Sequence, residues 1–113
     1  MNRFELFTMV FYAIEAEWED THDERLCVFL SDADPFLFEE CSSADPSVFK
    51  EFCDIITEEE IAVEDSYASA LRYLGTIKTE CLEEAFKRTD AVEWAACVEE
   101  YLSEPHKGAD WRG

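Results

Sequence analysis

The chain has 113 residues, of which 48% are hydrophobic and 33% are charged, and its formal net charge at pH 7 is −19. This length fits one domain, and the hydrophobic share is large enough to bury a core, which excludes a disordered acidic tail. Because so large an acidic surplus repels nucleic acid phosphates and anionic lipids and attracts basic surfaces, we expect no direct binding to DNA, RNA or membranes.

The first twenty residues carry an apolar stripe. Its members follow one another at intervals of three and four residues, which is the spacing of one helix face. The stripe consists of Phe4, Phe7, Phe11, Ile14 and Trp18, and it is widened by Leu6 and Val10. The pattern predicts a first α-helix that is buried on much of its circumference. A β-strand over residues 4–12 is the alternative.

The acidic residues are concentrated in the first half of the chain. Residues 1–60 hold 17 acids and 3 bases, a net charge of −14, whereas residues 61–113 hold 11 acids and 6 bases, a net charge of −5. In residues 15–24 six acids occur without a lysine or arginine among them, namely Glu15, Glu17, Glu19, Asp20, Asp23 and Glu24. Such a run is either an ordinary solvated face or a surface for a basic partner.

Two similar segments follow a short predicted helix over residues 24–32. Each contains an Asp-Pro pair, Asp34-Pro35 in the first and Asp45-Pro46 in the second. An aspartate at the N-cap accepts hydrogen bonds from free backbone N–H groups, and a proline at the first helical position loses no bond. The first pair predicts a single turn, and the second predicts a helix over residues 46–56.

Three further helices are predicted in the second half of the chain. Thr57 and Glu60 have the spacing of a capping box at the start of one helix. Thr79 is placed to cap a short helix, and Asp90 with Glu93 three residues later predicts the start of the last helix.

These patterns together predict an all-α fold, a compact single-domain bundle of five or six helices. Gly75 is placed to end or interrupt one helix, and Pro105 to stop the last. We therefore expect one helical domain over residues 1–104 and a loose C-terminal tail over residues 105–113. The predicted core includes Phe11, Ile14, Phe49, Phe52, Leu71, Leu74, Val98 and Leu102.

The cysteines and the N-terminal segment bear on the location of the protein. Five cysteines form an odd set without a CxxC pair: Cys27, Cys41, Cys53, Cys81 and Cys97. Most have apolar neighbours, so buried free thiols are predicted, which favours the cytoplasm. Residues 6–14 are largely apolar, but Glu5 precedes them and no A-x-A cleavage site follows, so a cleaved signal is not expected.

Residues that could form a catalytic or metal site are scarce. The only histidines, His22 and His106, have no partner at catalytic spacing. Asp32 and Asp34 resemble the start of a calcium-binding EF-hand loop, but Leu37 stands where that loop needs glycine. The sequence therefore predicts a binding protein with no catalytic residue, no metal and no cofactor. A small enzyme is the weaker alternative.

Large aromatic residues stand beside the acids. Trp18 lies in the acidic run, and Phe36 and Phe38 follow the first Asp-Pro pair. One role for these rings is core packing, and the other is to anchor a basic protein while the acids steer its approach. The residues predicted to bind this partner are Glu15, Glu17, Trp18, Glu19, Asp20, Asp23, Glu24, Asp32, Asp34, Phe36, Glu39 and Glu40.

The middle of the chain resembles a known class of proteins. The resemblance is carried by residues 29–38, with the sequence FLSDADPFLF, and by residues 43–49, SADPSVF. These segments are similar to those of immunity proteins of contact-dependent and polymorphic toxin systems, small bacterial proteins encoded near secreted toxins. The resemblance implies an acidic inhibitor that occupies the basic active site of a cognate nuclease toxin. A general acidic interaction protein, such as a DNA mimic, is the alternative, and no feature of the sequence sets an oligomeric state.

Overall fold

Six α-helices form the protein, and the computed structural model, which describes residues 1–113, contains no β-strand. The helices are α1 (Arg3–Thr21), α2 (Cys27–Asp32), α3 (Pro46–Ile55), α4 (Val63–Ile77), α5 (Glu80–Lys87) and α6 (Ala91–Ser103), and a short 3₁₀ helix (Glu24–Leu26) precedes α2. The predicted all-α single domain is confirmed. None of the six helices combines the length and the apolar content that crossing a membrane requires.

The central element is α1, which packs against α2, α3, α4 and α5. A reciprocal capping box starts it: the side chain of Asn2 accepts from the backbone N–H of Glu5, and the Glu5 carboxylate accepts from the N–H of Asn2, both at 2.8 Å. Every residue from Phe4 to Phe11 is buried. The helix prediction for this segment is therefore confirmed, and the strand alternative is wrong.

Aromatic rings fill much of the core. The ring of Phe52 lies 5.2 Å from that of Phe7 and 4.7 Å from that of Tyr73, measured between centroids. Phe86 packs edge-on against Trp94 at 5.1 Å, and the buried Trp94 indole N–H donates to the hydroxyl of Ser66 at 2.8 Å. Six of the eight predicted core residues are buried, whereas Leu71 and Leu102 are half-buried against the core.

The two Asp-Pro pairs have different structures. Asp45 caps α3 as predicted, accepting from the N–H of Ser47 at 3.0 Å. No helix follows Asp34-Pro35, although the Asp34 carboxylate accepts from the N–H of Phe36 at 2.8 Å. The predicted first turn of helix is therefore wrong. The carbonyl of Asp34, which a helix would offer to residue 38, instead accepts from the N–H of Ala44 at 2.9 Å.

The predicted capping box before α4 is also wrong. Thr57 and Glu60 lie in the loop that precedes the helix, and α4 begins after Ala62 without a side-chain cap. The loop is held by the chain's first residue, because Met1 donates to the carbonyl of Ile61 and accepts from its N–H, both at 2.8 Å.

The ends of the later helices follow the sequence in part. Helix α4 runs through Gly75 to Ile77, and Lys78 then adopts a left-handed conformation with φ 54°. Thr79 occupies the N-cap position of α5 but makes no side-chain capping bond. Asp90 caps α6 as predicted, accepting from the N–H of Glu93 at 2.8 Å.

The last nine residues differ from the expected loose tail. The side-chain amide of Asn2 donates to the carbonyls of Gly108 at 2.8 Å and Trp111 at 3.3 Å. The Trp111 ring packs edge-on against Phe49 with centroids 5.4 Å apart. Because buried polar groups and an aromatic ring bind this segment to α1 and α3, it belongs to the folded domain.

The five cysteines are all unpaired, as predicted. Cys27 and Cys97 are exposed and the other three are half-buried, so the prediction that they are buried is wrong for at least these two. Burial raises the pKa of the Cys53 and Cys41 thiols above the ordinary value.

Candidate functional site

The loop between α2 and α3 is closed at its base and exposes its middle residues to solvent. The N–H of Ala44 donates to the carbonyl of Asp34, and the N–H of Asp45 donates to that of Asp32 at 2.8 Å. The buried hydroxyl of Ser43 accepts from the N–H of Phe49 at 3.0 Å and fixes the loop to α3. We refer to residues 34–44 as the tip loop, a compact segment whose ends lie close together.

A lysine from the C-terminal segment holds the tip loop from inside. The ammonium of Lys107 donates to the carbonyl of Pro35 at 2.6 Å and to that of Phe38. Both bonds are charge-assisted and therefore stronger than bonds between neutral groups. The sequence analysis missed Lys107, and no local signal marks it, because its two partners lie about 70 residues earlier in the chain.

Three consecutive large apolar residues of the tip loop face solvent. The exposed fractions are 45% for Phe36, 61% for Leu37 and 43% for Phe38. Phe36 also lies 5.7 Å from the half-exposed ring of Tyr12 and 6.2 Å from Phe11 on α1, measured between centroids. Core packing therefore accounts for these residues only in part. The exposed Glu39 and Glu40 follow directly, so the apolar surface has an acidic border.

An adjoining cleft of about 330 Å³ separates α1 from α2 and the start of the tip loop. Its apolar lining comes from Phe11, Trp18, Cys27 and Leu30. Its polar lining is Glu15, Glu19, Asp34 and Ser31, and we refer to the whole as the acidic cleft. Four of the predicted binding residues, Glu15, Trp18, Glu19 and Asp34, thus lie together.

The three carboxylates of the acidic cleft have no cationic partner. None of the ion pairs of the protein includes Glu15, Glu19 or Asp34. Burial raises the pKa of Glu15, and the neighbouring charges of Glu19 and Asp34 raise it further. Unpaired like charges beside apolar walls repel one another, so a cation entering the cleft would relieve this repulsion.

Other predicted acids lie elsewhere or are already paired. The carboxylate of Glu17 accepts from Arg88 on the far side of α1 at 2.9 Å, and that of Asp23 binds Arg25 with bonds of 2.7–3.2 Å. Asp20 is exposed but points roughly 140° around α1 from Glu15, given 3.6 residues per turn. These acids therefore form no single face with the acidic cleft.

Asp32 lines a different and larger cleft of about 440 Å³ among α2, α3, α4 and α5. Val28, Phe29, Val48 and Tyr73 supply its apolar surface. Glu24, in the 3₁₀ helix, is exposed and lines neither cleft. The structure thus separates residues that the acidic run places side by side in the sequence.

The two histidines lie near opposite ends of α1, and each contacts another side chain. His22 ends α1 in a left-handed conformation, with its ring 5.1 Å from that of Trp18. The Nε2 of His106 lies 2.6 Å from the Oε2 of Glu5. No group of three or more His, Cys, Asp or Glu side chains is arranged to hold a metal ion.

No family model, no curated protein and no solved structure matches this chain. The similarity to immunity proteins stays a prediction, and inference about function starts from the tip loop and the acidic cleft.

Proposed function

We propose that this protein is an inhibitor that binds a basic protein partner, and that the partner is a toxin domain of the nuclease class. The observation that carries the proposal is the tip loop, where Phe36, Leu37 and Phe38 are exposed and bordered by unpaired acids. Large apolar residues exposed side by side are uncommon on a protein without a partner.

The two kinds of residue have different tasks in such a complex. Acids raise the rate of encounter with a basic surface, whereas buried apolar anchors slow dissociation. Fully burying an exposed phenylalanine or leucine contributes about 1.5–3 kcal/mol, and covering the remaining exposed part of these three side chains contributes roughly half of that for each. The net charge of −14 over residues 1–60 supplies the long-range attraction.

The tip loop is also organised before binding. Lys107, Ala44 and Ser43 each fix part of its backbone through hydrogen bonds. A binding segment that is already ordered loses less conformational entropy when the complex forms. This order favours inhibition by insertion into a cleft, which is the mode that the resemblance to immunity proteins implies.

A DNA mimic is less consistent with the shape. A mimic needs carboxylates spaced like phosphates along an extended surface, but the domain measures 33 × 30 × 25 Å. Three exposed apolar side chains, which a surface that imitates phosphates does not need, also stand beside the acids of the tip loop. A basic protein surface with an apolar pocket therefore fits better than a DNA-binding protein.

The test uses the product of the gene next to that of this protein, if that product ends in a basic, nuclease-sized domain. Cells that express the domain alone should stop growing, and co-expression of this protein should restore growth. Phe36→Ser, Leu37→Ser and Phe38→Ser together should abolish the rescue. The matched control is Val28→Ser with Val92→Ser, since these side chains are 72% and 82% exposed and lie outside the tip loop. Rescue that survives the tip variant, or a neighbour without a basic domain, would argue against the proposal.

A further inference from the structure

We propose that the acidic cleft is a receptor for a single arginine side chain of the partner. The inference rests on the proposed function and specifies its chemistry. It adds to the tip loop, which binds through exposed apolar residues, an adjoining open cleft that binds a guanidinium group.

The size of the acidic cleft suits one side chain. Its volume of about 330 Å³ lies at the lower end of the range of about 300–1,000 Å³ for ligand pockets. This volume is enough for a single long side chain. The apolar walls formed by Phe11, Trp18 and Leu30 can cover the methylene groups of such a side chain.

The carboxylates of the acidic cleft have no cationic partner within the protein. The bases on the adjoining elements are engaged elsewhere: Arg25 with Asp23, Arg88 with Glu17, and Lys107 with carbonyls of the tip loop. Charge complementarity therefore selects a positively charged side chain, and the apolar walls exclude a strongly hydrated one.

Arginine meets both conditions better than lysine. Its guanidinium is planar, stacks on aromatic faces and forms paired hydrogen bonds with carboxylates. Trp18 offers an indole ring, the best aromatic partner of a cation, and Glu15 and Glu19 lie one turn apart on the same face of α1. A lysine ammonium, which is more strongly hydrated, would lose more on entering the cleft.

The acidic cleft and the tip loop adjoin each other. Phe11 lines the cleft and contacts the Phe36 ring, and Asp34 lines the cleft while accepting from the N–H of Phe36. A partner segment with an arginine next to an apolar residue could therefore occupy both at once. Such a pairing would make specificity depend on two neighbouring side chains.

The test is an NMR titration of the ¹⁵N-labelled protein at physiological salt. The probes are the peptide acetyl-Gly-Arg-Gly-amide, its neutral citrulline analogue and its lysine analogue. The arginine peptide should shift the Trp18 indole N–H and the Leu30 amide in a saturable way. The citrulline peptide should bind about tenfold more weakly or worse, because it lacks the charge, and the lysine peptide should fall between them.

Two variants make the result specific. Glu15→Gln with Glu19→Gln should abolish the shifts, whereas Glu99→Gln with Glu100→Gln on α6 removes the same charge and should leave them unchanged. Shifts spread over α6, equal responses to the three peptides, or insensitivity to the α1 variant would each overturn the inference. The two proposals fail separately: a protein that rejects the arginine peptide but still neutralises its toxin through the tip loop contradicts only the arginine site.

Discussion

The imidazole of His106 and the carboxylate of Glu5 join the two ends of the chain, with Nε2 and Oε2 2.6 Å apart and both side chains nearly buried. Glu5 also completes the capping box of α1, and His106 stacks on Tyr101 with ring centroids 4.2 Å apart. The next residue, Lys107, holds the tip loop. The pair thus connects the start of α1 to the segment that organises the candidate site.

We expect the contribution of this pair to depend on pH. Burial lowers the pKa of His106, but the hydrogen bonds to Glu5 and to the carbonyl of Glu104 outweigh it, so the pKa is above its ordinary value. A raised pKa in the folded state stabilises the fold fully below the unfolded pKa of about 6.5, and this stabilisation is lost as pH rises through the folded value.

The measurement is urea unfolding of the wild type and of His106→Gln at pH 5.5 and 8.5. At pH 5.5 the variant should be less stable by about 1–2 kcal/mol, and at pH 8.5 the difference should shrink. Because both proteins share every other titrating group, the comparison isolates the imidazole. A difference that grows with pH would contradict the assigned pair.

Two glycines should respond to alanine in opposite directions. Gly108 has φ +85°, and a Cβ there would overlap the Phe4 ring, so Gly108→Ala should destabilise the protein by about 2–5 kcal/mol. Gly75 lies inside α4 with room for a Cβ, so Gly75→Ala should stabilise it by about 0.5–1 kcal/mol. Thermal unfolding compares the two. Equal effects would mean that residues 105–113 are not packed as described.

The core offers a matched pair of leucines on α4. Leu74 is fully buried, so Leu74→Ala should cost about 2–5 kcal/mol in the free energy of unfolding. Leu71 is half-buried at the edge of the same core, so Leu71→Ala should cost less. Chemical denaturation of both variants checks the order, and a larger loss for Leu71→Ala would place the core on the wrong face of α4.

Helices whose signals lie within their own residues could be predicted from the sequence. The apolar stripe of α1, the Asp45-Pro46 start of α3 and the Asp90 cap of α6 are local patterns, and each forms the helix expected. Asp34-Pro35 carries the same local signal as Asp45-Pro46 but forms no helix. Its structure depends on hydrogen bonds from Ala44 and Lys107, which lie outside the local Asp-Pro pattern.

The candidate site also contains residues that could be predicted from local sequence patterns and residues that could not. Glu15, Trp18 and Glu19 share one face of α1 and could be predicted together by helical spacing. Their separation from Glu17 and Asp23 could not, because it depends on ion pairs with Arg88 and Arg25. The sequence analysis did not include Leu37 among the binding residues, although it stands between Phe36 and Phe38. Its exposure depends on the conformation of the tip loop, which the sequence does not show.

The number and the reactivity of the five cysteine thiols test the fold chemically. Titration in denaturant without reductant should find five free thiols. In the native protein Cys27 and Cys97 should react fast with a thiol reagent, whereas Cys41 and Cys53 should react slowly, because burial raises their pKa and the thiolate is the reactive form. Cys27→Ser should remove one fast-reacting group. A count of one or three thiols in denaturant would instead mean disulfide bonds.

The central claim is that acids steer and the tip loop anchors a basic partner, and the most direct test measures both rate constants across a salt series. Glu15→Lys, Glu19→Lys and Glu40→Lys together should slow association about tenfold or more at low salt, with a smaller effect at high salt. Phe36→Ser, Leu37→Ser and Phe38→Ser together should speed dissociation about a hundredfold with little change in association. Glu84→Lys, Glu99→Lys and Glu100→Lys change the net charge equally and should have a weaker effect. If this control set alters the rates while the other two sets do not, the partner binds a different face and the account is contradicted.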